Sequence, residues 1–184
     1  MKLSQINKDW TLFLDRDGVI NVKKENDYVK NWKEFVFHDK SISAIAKLTK
    51  IFGRIIIVTN QKGIGKGLMT EMDLNTIHKK MIKIIELNFG KIDKIYFCPD
   101  INDSFIDRKP NIGMALKAKN EFPLIDFKKS VMIGDSSSDI LFGHRLGMQT
   151  VFINALKRQN NNFQFEFKSL IDFTNFLIES LNKN

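Results

Sequence analysis

The chain has 184 residues, 43% hydrophobic and 27% charged, which suits one globular domain over residues 1–184 with a full-sized core and no linker. Its one cysteine, Cys98, excludes an internal disulfide and any multi-cysteine zinc cluster. The apolar runs are too short to span a bilayer and the first residues lack the apolar stretch of a signal peptide, so a cytoplasmic location is expected. The net charge of +8 suits nucleic acid, anionic lipid or phosphorylated small molecules but selects none of them. The lysines are dispersed, and they accompany an Asn-, Ile- and Phe-rich composition of the kind a genome's base bias produces.

Strand-like and helix-like runs alternate, which predicts an α/β fold: a Rossmann-like, doubly wound parallel sheet with helices on both faces. The first strand, 10–14, is short, apolar and β-prone, and Asp15 emerges at its carboxyl end, where open parallel sheets bind ligands. In extended chain Asp15 and Asp17 project to one side while Arg16 points elsewhere, and two clustered carboxylates call for a cation. An ordinary Asp- and Gly-rich turn is the alternative reading of the same residues. From Ile20 to Phe37 the pattern is irregular, with Tyr28, Trp32, Phe35 and Phe37 among charges, and a small β-hairpin or flap is expected over the first strand's end. The stretch is too short for an inserted cap domain.

A helix follows Asp39, with Ile42, Ile45, Ala46 and Leu48 at helical spacing and Gly53 as its carboxyl cap. A buried strand, 54–58, then runs into Thr59-Asn60-Gln61-Lys62-Gly63-Ile64-Gly65-Lys66-Gly67, a loop able to aim backbone N–H groups at phosphate oxygens, although it is not a P-loop. A longer helix from Thr70 to Phe89 places Met72, Leu74, Ile77, Met81, Ile84, Ile85 and Leu87 on its core stripe and ends at Gly90. Strand 94–97 leads to Cys98, read as a small apolar residue. Asp107-Arg108-Lys109-Pro110-Asn111 sets two cations before a helix at 112–121, with Pro110 in its first turn. Strand 130–133 ends in Gly134-Asp135 and precedes a helix at 137–146. Asp135 can close a magnesium site with Asp15, while Asp139 supports that site or serves the helix start. Strand 150–153, a polar loop at Asn160-Asn161-Asn162 and a helix at 168–181 complete the chain. His38, His78 and His144 lack a matching nucleophile and read as surface or helix histidines.

Taken in order, Asp15-x-Asp17-Gly18, Val58-Thr59-Asn60, Arg108-Lys109-Pro110 and Gly134-Asp135-x₃-Asp139 resemble the four motifs of the haloacid dehalogenase-like phosphohydrolases, and the match spans nearly the whole chain. Phe13-Leu14-Asp15-Arg16-Asp17-Gly18-Val19-Ile20-Asn21, Tyr28-Val29, Asn60-Gln61-x-Gly63-Ile64 and Cys98-Pro99 are similar to the branch of heptose 1,7-bisphosphate and histidinol-phosphate phosphatases. The resemblance implies that Asp15 attacks phosphorus to give an aspartyl phosphate and that Asp17 acts as acid, then base. It implies Mg2+ held by Asp15, the Asp17 carbonyl and Asp135, with Thr59 and Lys109 on the phosphoryl oxygens. It also implies substrate contacts from Arg108, the Asn60-Gln61-Lys62 loop, Ser136 and the Lys23-to-Tyr28 flap.

One departure stands out. That branch usually carries a zinc loop of several cysteines and a histidine between its Cys-Pro and Arg-Lys-Pro, and here only Cys98 remains, so no zinc is expected. The expected enzyme is a magnesium-dependent phosphatase of a small phosphorylated sugar, with heptose bisphosphate first and histidinol phosphate second. A nucleic-acid 3′-end phosphatase is the alternative from another class, and a non-catalytic module on the same fold is a third. Nucleic acid is the less favoured partner, and nothing in the pattern calls for more than a monomer.

Overall fold

The computed structural model describes residues 3–153 and 163–183; the stretch Asn160-Asn161-Asn162 lies outside them. Its sheet contains β1 (Thr11–Leu14), β2 (Arg54–Asn60), β3 (Lys94–Cys98), β4 (Ser130–Gly134), β5 (Gln149–Ile153) and β6 (Phe165–Phe167). The spatial order is β3-β2-β1-β4-β5-β6 and every neighbouring pair is parallel. Chain order reverses beside β1, which pairs with β2 on one side and β4 on the other, so the ligand crevice of such a sheet falls at the carboxyl ends of β1 and β4.

The two-residue period of a strand explains how both sheet faces are buried. Leu12, Leu14, Ile55, Ile57, Val131 and Ile133 face a cluster completed by helices α1 (Ser41–Ile51), α3 (Glu71–Leu87) and α6 (Leu170–Asn182). Phe13, Ile56, Val58 and Met132 face the opposite way, onto α4 (Gly113–Glu121) and α5 (Ser137–Arg145). The strands therefore read as continuous apolar runs because helices cover both sides. A short α2 (Lys62–Gly65) lies in the glycine-rich loop. No helix among the described residues is long and apolar enough to cross a membrane.

Several local expectations are corrected. Thr70 caps α3 through a reciprocal capping box with Asp73, but the helix stops at Leu87 and Phe89, not Gly90, takes the left-handed conformation at φ 63°. Gly90 serves close packing, since a Cβ there would lie 2.6 Å from Ile85 Cγ2. Gly53 is likewise no left-handed cap: Phe52 holds the C-cap position, and a Cβ on Gly53 would fall 1.9 Å from the Lys8 carbonyl oxygen. Of the α3 methionines, Met81 is buried but Met72 is 76% exposed. Strand β6 was not expected, although Phe163, Phe165 and Phe167 alternate as a strand should; Phe163 stacks on Phe152 and Phe167 meets Phe173 edge-on.

Between β1 and β2 the chain forms a flap without a regular hairpin. One antiparallel bridge joins Asn21 to Phe37, and Val22 N donates to Val36 O at 2.8 Å. Trp32 stacks on Phe35 with centroids 5.0 Å apart, and Phe35 and Val29 are buried in the core, so apolar contact holds the flap down in place of a strand ladder.

Candidate active site

Asp15 directly follows β1, and its N–H still donates to Ile133 O at 2.9 Å, so the ladder to β4 fixes its backbone at the crevice. Lys109 reaches it from the loop after β3. The Lys109 ammonium lies 2.8 Å from Asp15 Oδ1, 2.7 Å from the Val58 carbonyl oxygen and 2.5 Å from Asp139 Oδ1. Asn60 holds that backbone in register: Lys109 N donates to Asn60 Oδ1 and Asn60 Nδ2 donates to Lys109 O, both at 3.0 Å. Burial pushes the Asp15 carboxyl up to about 7; the Lys109 charge opposes this, and Asp139 and Asp135 add to it. Burial works against the Lys109 charge too, but Asp139 and Asp15 hold its pKa above the ordinary lysine range.

Asp17 sits in a different environment. Arg16 does not point away: it is fully buried, and its Nη2 donates to both Asp17 carboxylate oxygens, at 2.9 and 2.8 Å. The two-residue period does not reach Arg16, because the strand ends at Leu14 and Gly18, at φ +92°, turns the chain. Asn21 Nδ2 and Gln61 Nε2 also donate to Asp17, at 2.9 and 2.8 Å. Burial raises the Asp17 pKa, but the Arg16 charge and these donors outweigh it, and the carboxyl ends below its ordinary value. His78 is no surface histidine. It is buried behind Arg16 with Nε2 3.2 Å from Arg16 Nη1, and burial together with the Arg16 charge pushes its pKa down to about 3. The ring is therefore neutral, and Nε2 can accept from the guanidinium.

Asp135 completes the carboxylate group. It follows β4, accepts from Lys23 Nζ at 3.1 and 2.8 Å, and sits so close to Gly18 that a Cβ there would lie 2.2 Å from its Oδ2. Burial and the neighbouring Asp139 raise its pKa, against the pull of Lys23. Asp139 serves the helix start, where Oδ2 accepts from Ser136 N at 3.1 Å and Oγ at 2.5 Å as the capping box, while Oδ1 meets Lys109. Carboxylate oxygens of Asp15, Asp135 and Asp139 lie within 4.8 Å of one another. An all-oxygen donor set of that spacing fits a small hard divalent cation such as magnesium.

A cavity of about 220 Å³ opens here, lined among others by Asp15, Asp17, Lys23, Tyr28, Asn60, Gln61, Lys109, Ser136 and Asp139. Asp135 lines the adjoining groove together with Lys23 and Ser136. Four expected site residues stand outside the cavity lining. Thr59 is buried at the end of β2 and its Oγ1 accepts from Gln61 Nε2 at 3.0 Å. Asp135 is the second, and the other two, Lys62 and Arg108, gather on Asp103 in the loop beyond β3. Pro110 lies in a turn three residues ahead of α4, outside its first turn. Arg16, Asn21 and His78 are the site residues that motif reading missed. For Asn21 the clue was its place four residues after Asp17; His78 had none, because α3 brings it in from 62 residues away from Arg16.

The arrangement has a nucleophile candidate beside a buried ammonium, a second carboxylate held apart by a guanidinium, and a third that can share a cation. Residues 9–173 match the family described as polynucleotide kinase 3 phosphatase. The chain belongs to this family. As a family member of the haloacid dehalogenase-like class, it is a phosphatase. It is 39% identical over 176 residues to the D-glycero-alpha-D-manno-heptose-1,7-bisphosphate 7-phosphatase of Campylobacter jejuni, covering 94% of this chain and 98% of that one. The Burkholderia mallei protein of the same name is 39% identical over 155 residues, covering 79% and 80%. The crystal structure of D,D-heptose 1,7-bisphosphate phosphatase from B. bronchiseptica, complexed with magnesium and phosphate, superposes with a TM-score of 0.80 at 26% identity, covering 92% of this chain and 98% of that one.

Proposed function

We propose that this family member is a magnesium-dependent phosphatase that removes one phosphoryl group from a small sugar bisphosphate through an aspartyl phosphate, with D-glycero-D-manno-heptose 1,7-bisphosphate as substrate. The observation that carries this reading is the unequal treatment of two carboxylates two residues apart: Asp15 shares a buried ammonium, whereas Asp17 is held by Arg16, Asn21 and Gln61. Unequal environments separate the roles of like groups. The relatives' names supply the substrate.

An Asp15 carboxylate oxygen attacks phosphorus, and the bond from phosphorus to the sugar oxygen breaks. Asp17 gives the leaving alkoxide a proton. It then takes a proton from the water that attacks the aspartyl phosphate, which releases phosphate and restores Asp15. The incoming phosphoryl dianion raises the proton affinity of Asp17, and Arg16 limits that rise, so the same group can donate and later accept. Lys109 and Thr59 hold the phosphoryl oxygens, and Asn60 keeps Lys109 in place. Asp15, Asp135 and the Asp17 carbonyl are the groups that would hold magnesium, which when bound offsets the negative charge of the phosphoryl group. Lys23, Tyr28, Gln61 and Ser136 border the space for the sugar.

The test is phosphate release with magnesium from heptose 1,7-bisphosphate, histidinol phosphate and a 3′-phosphorylated oligonucleotide. Turnover should be greatest on the heptose bisphosphate and vanish in Asp15→Asn. Appreciable activity in that variant defeats the nucleophile assignment. Preference for the oligonucleotide, with a steep loss on adding salt, defeats the substrate assignment.

A further inference from the structure

The loop after β3 contains an ion pair that the chemistry above does not use. The Asp103 side chain is 79% exposed, yet its Oδ1 lies 2.7 Å from Arg108 Nε and 3.6 Å from Lys62 Nζ. Arg108 is buried, and its Nη1 donates to Asp100 O at 3.1 Å. The hydrogen bond from Arg108 and the Lys62 charge hold the Asp103 carboxyl below its ordinary range. The loop has supports independent of this carboxylate: Asn111 Nδ2 donates to the carbonyls of Asp103 and Phe105 at 2.8 and 3.0 Å, and Asn102 Oδ1 accepts from Ser104 N at 3.0 Å. Asp103 therefore rests a solvent-facing negative charge on two cations without being the loop's main brace.

Those cations neighbour, along the chain, two residues of the reaction centre. Lys62 follows Gln61, which lines the cavity, and Arg108 precedes Lys109, which bonds Asp15. Strand β3 is two places from β1 in the sheet. At about 4.8 Å per strand their carboxyl ends are about 10 Å apart, the reach of a sugar with phosphoryl groups at both ends. A phosphoryl dianion offers a guanidinium stronger, multidentate bonds than a single carboxylate oxygen does, and solvent-exposed ion pairs are weak, so the exchange of Asp103 for phosphate is favourable.

Resting on the phosphatase reading above, we infer that Asp103 is an exchangeable internal anion that masks Arg108 and Lys62 until the second, non-reacting phosphoryl group of a sugar bisphosphate displaces it. Asp103 thereby tempers the preference for bisphosphate over monophosphate. In Asp103→Asn, the ratio of kcat/KM for heptose 1,7-bisphosphate to that for heptose 7-phosphate should rise about two- to five-fold, the range expected for an exposed ion pair. Adding Arg108→Ala should cancel the rise. An unchanged ratio overturns the inference, as does an equal loss on both substrates, which would make Asp103 a structural staple. Calorimetric binding of the same two sugars in an Asp15→Asn background reads the ratio without turnover. Selective tightening there, with no phosphate released from either sugar by a chain that keeps Asp15, defeats the phosphatase mechanism and leaves this inference standing. Turnover with an unmoved ratio, or binding that is absent or unselective in both proteins, defeats the inference.

Discussion

Arg16→Met tests whether the buried guanidinium sets the state of Asp17. Methionine fills most of the arginine's volume but removes the charge, leaving Asp17 with Asn21 and Gln61 as donors. Removing one partner from a buried pair costs about 3–5 kcal/mol when the other is left unpaired. The Asp17 side chain keeps 21% exposure and two donors, so a loss of about 2–3 kcal/mol at pH 7 is expected from urea denaturation. Because the folded Asp17 pKa lies below 3.8, its contribution is present above that value and disappears as pH falls through the folded pKa. The gap between wild type and variant should therefore narrow below about pH 4. In phosphate-release assays the alkaline limb of kcat/KM should move to higher pH, because Asp17, the acid of the first step, holds its proton more tightly without Arg16. A stability change under about 1 kcal/mol, with an unmoved alkaline limb, would refute the reasoning.

Asp15 gives the opposite pH dependence. Its folded pKa of about 7 lies above the ordinary 3.8, so without metal the folded chain holds a proton that the unfolded chain releases, and this contribution to stability falls as pH rises between those values. Neutral His78, pushed down to about 3, works the other way over part of that window, so the informative quantity is the difference between Asp15→Asn and wild type. That difference should grow in the variant's favour as thermal melts move from pH 5 to pH 8, and magnesium should reverse it; a pH-independent difference contradicts the assignment. Gly18→Ala should fold, at a cost of about 1–3 kcal/mol for a side chain at φ +92°, but its Cβ displaces Asp135. Magnesium affinity by calorimetry should fall at least about ten-fold, and wild-type affinity would show that Asp135 is not a ligand.

Much of the fold was legible because its signals are local. Five strands and the helices after them follow from apolar runs flanked by turn residues, and Asp15, Asp17, Lys109 and Asp135 announce themselves at strand ends or just ahead of a helix. What misled was also local. Gly53 and Gly90 read as caps, but their small size serves approaches to Lys8 and Ile85, which no window of neighbouring residues contains. The three-residue β6 was hidden by its shortness, although its phenylalanines alternate.

By itself the sequence determined the class of fold and the order of the chemical motifs, since residue type and strand or helix period act within a few positions. Only the tertiary structure decided the electrostatics. Arg16 turns back onto Asp17 because the chain bends at Gly18, and His78 stands behind it because α3 packs on the sheet. Lys109 joins Asp15 across 94 residues, and Asp103 comes to rest on Arg108 and Lys62 in the loop after β3. A charge's effect depends on its distance from other charges and on the water around it, and both are properties of the folded chain.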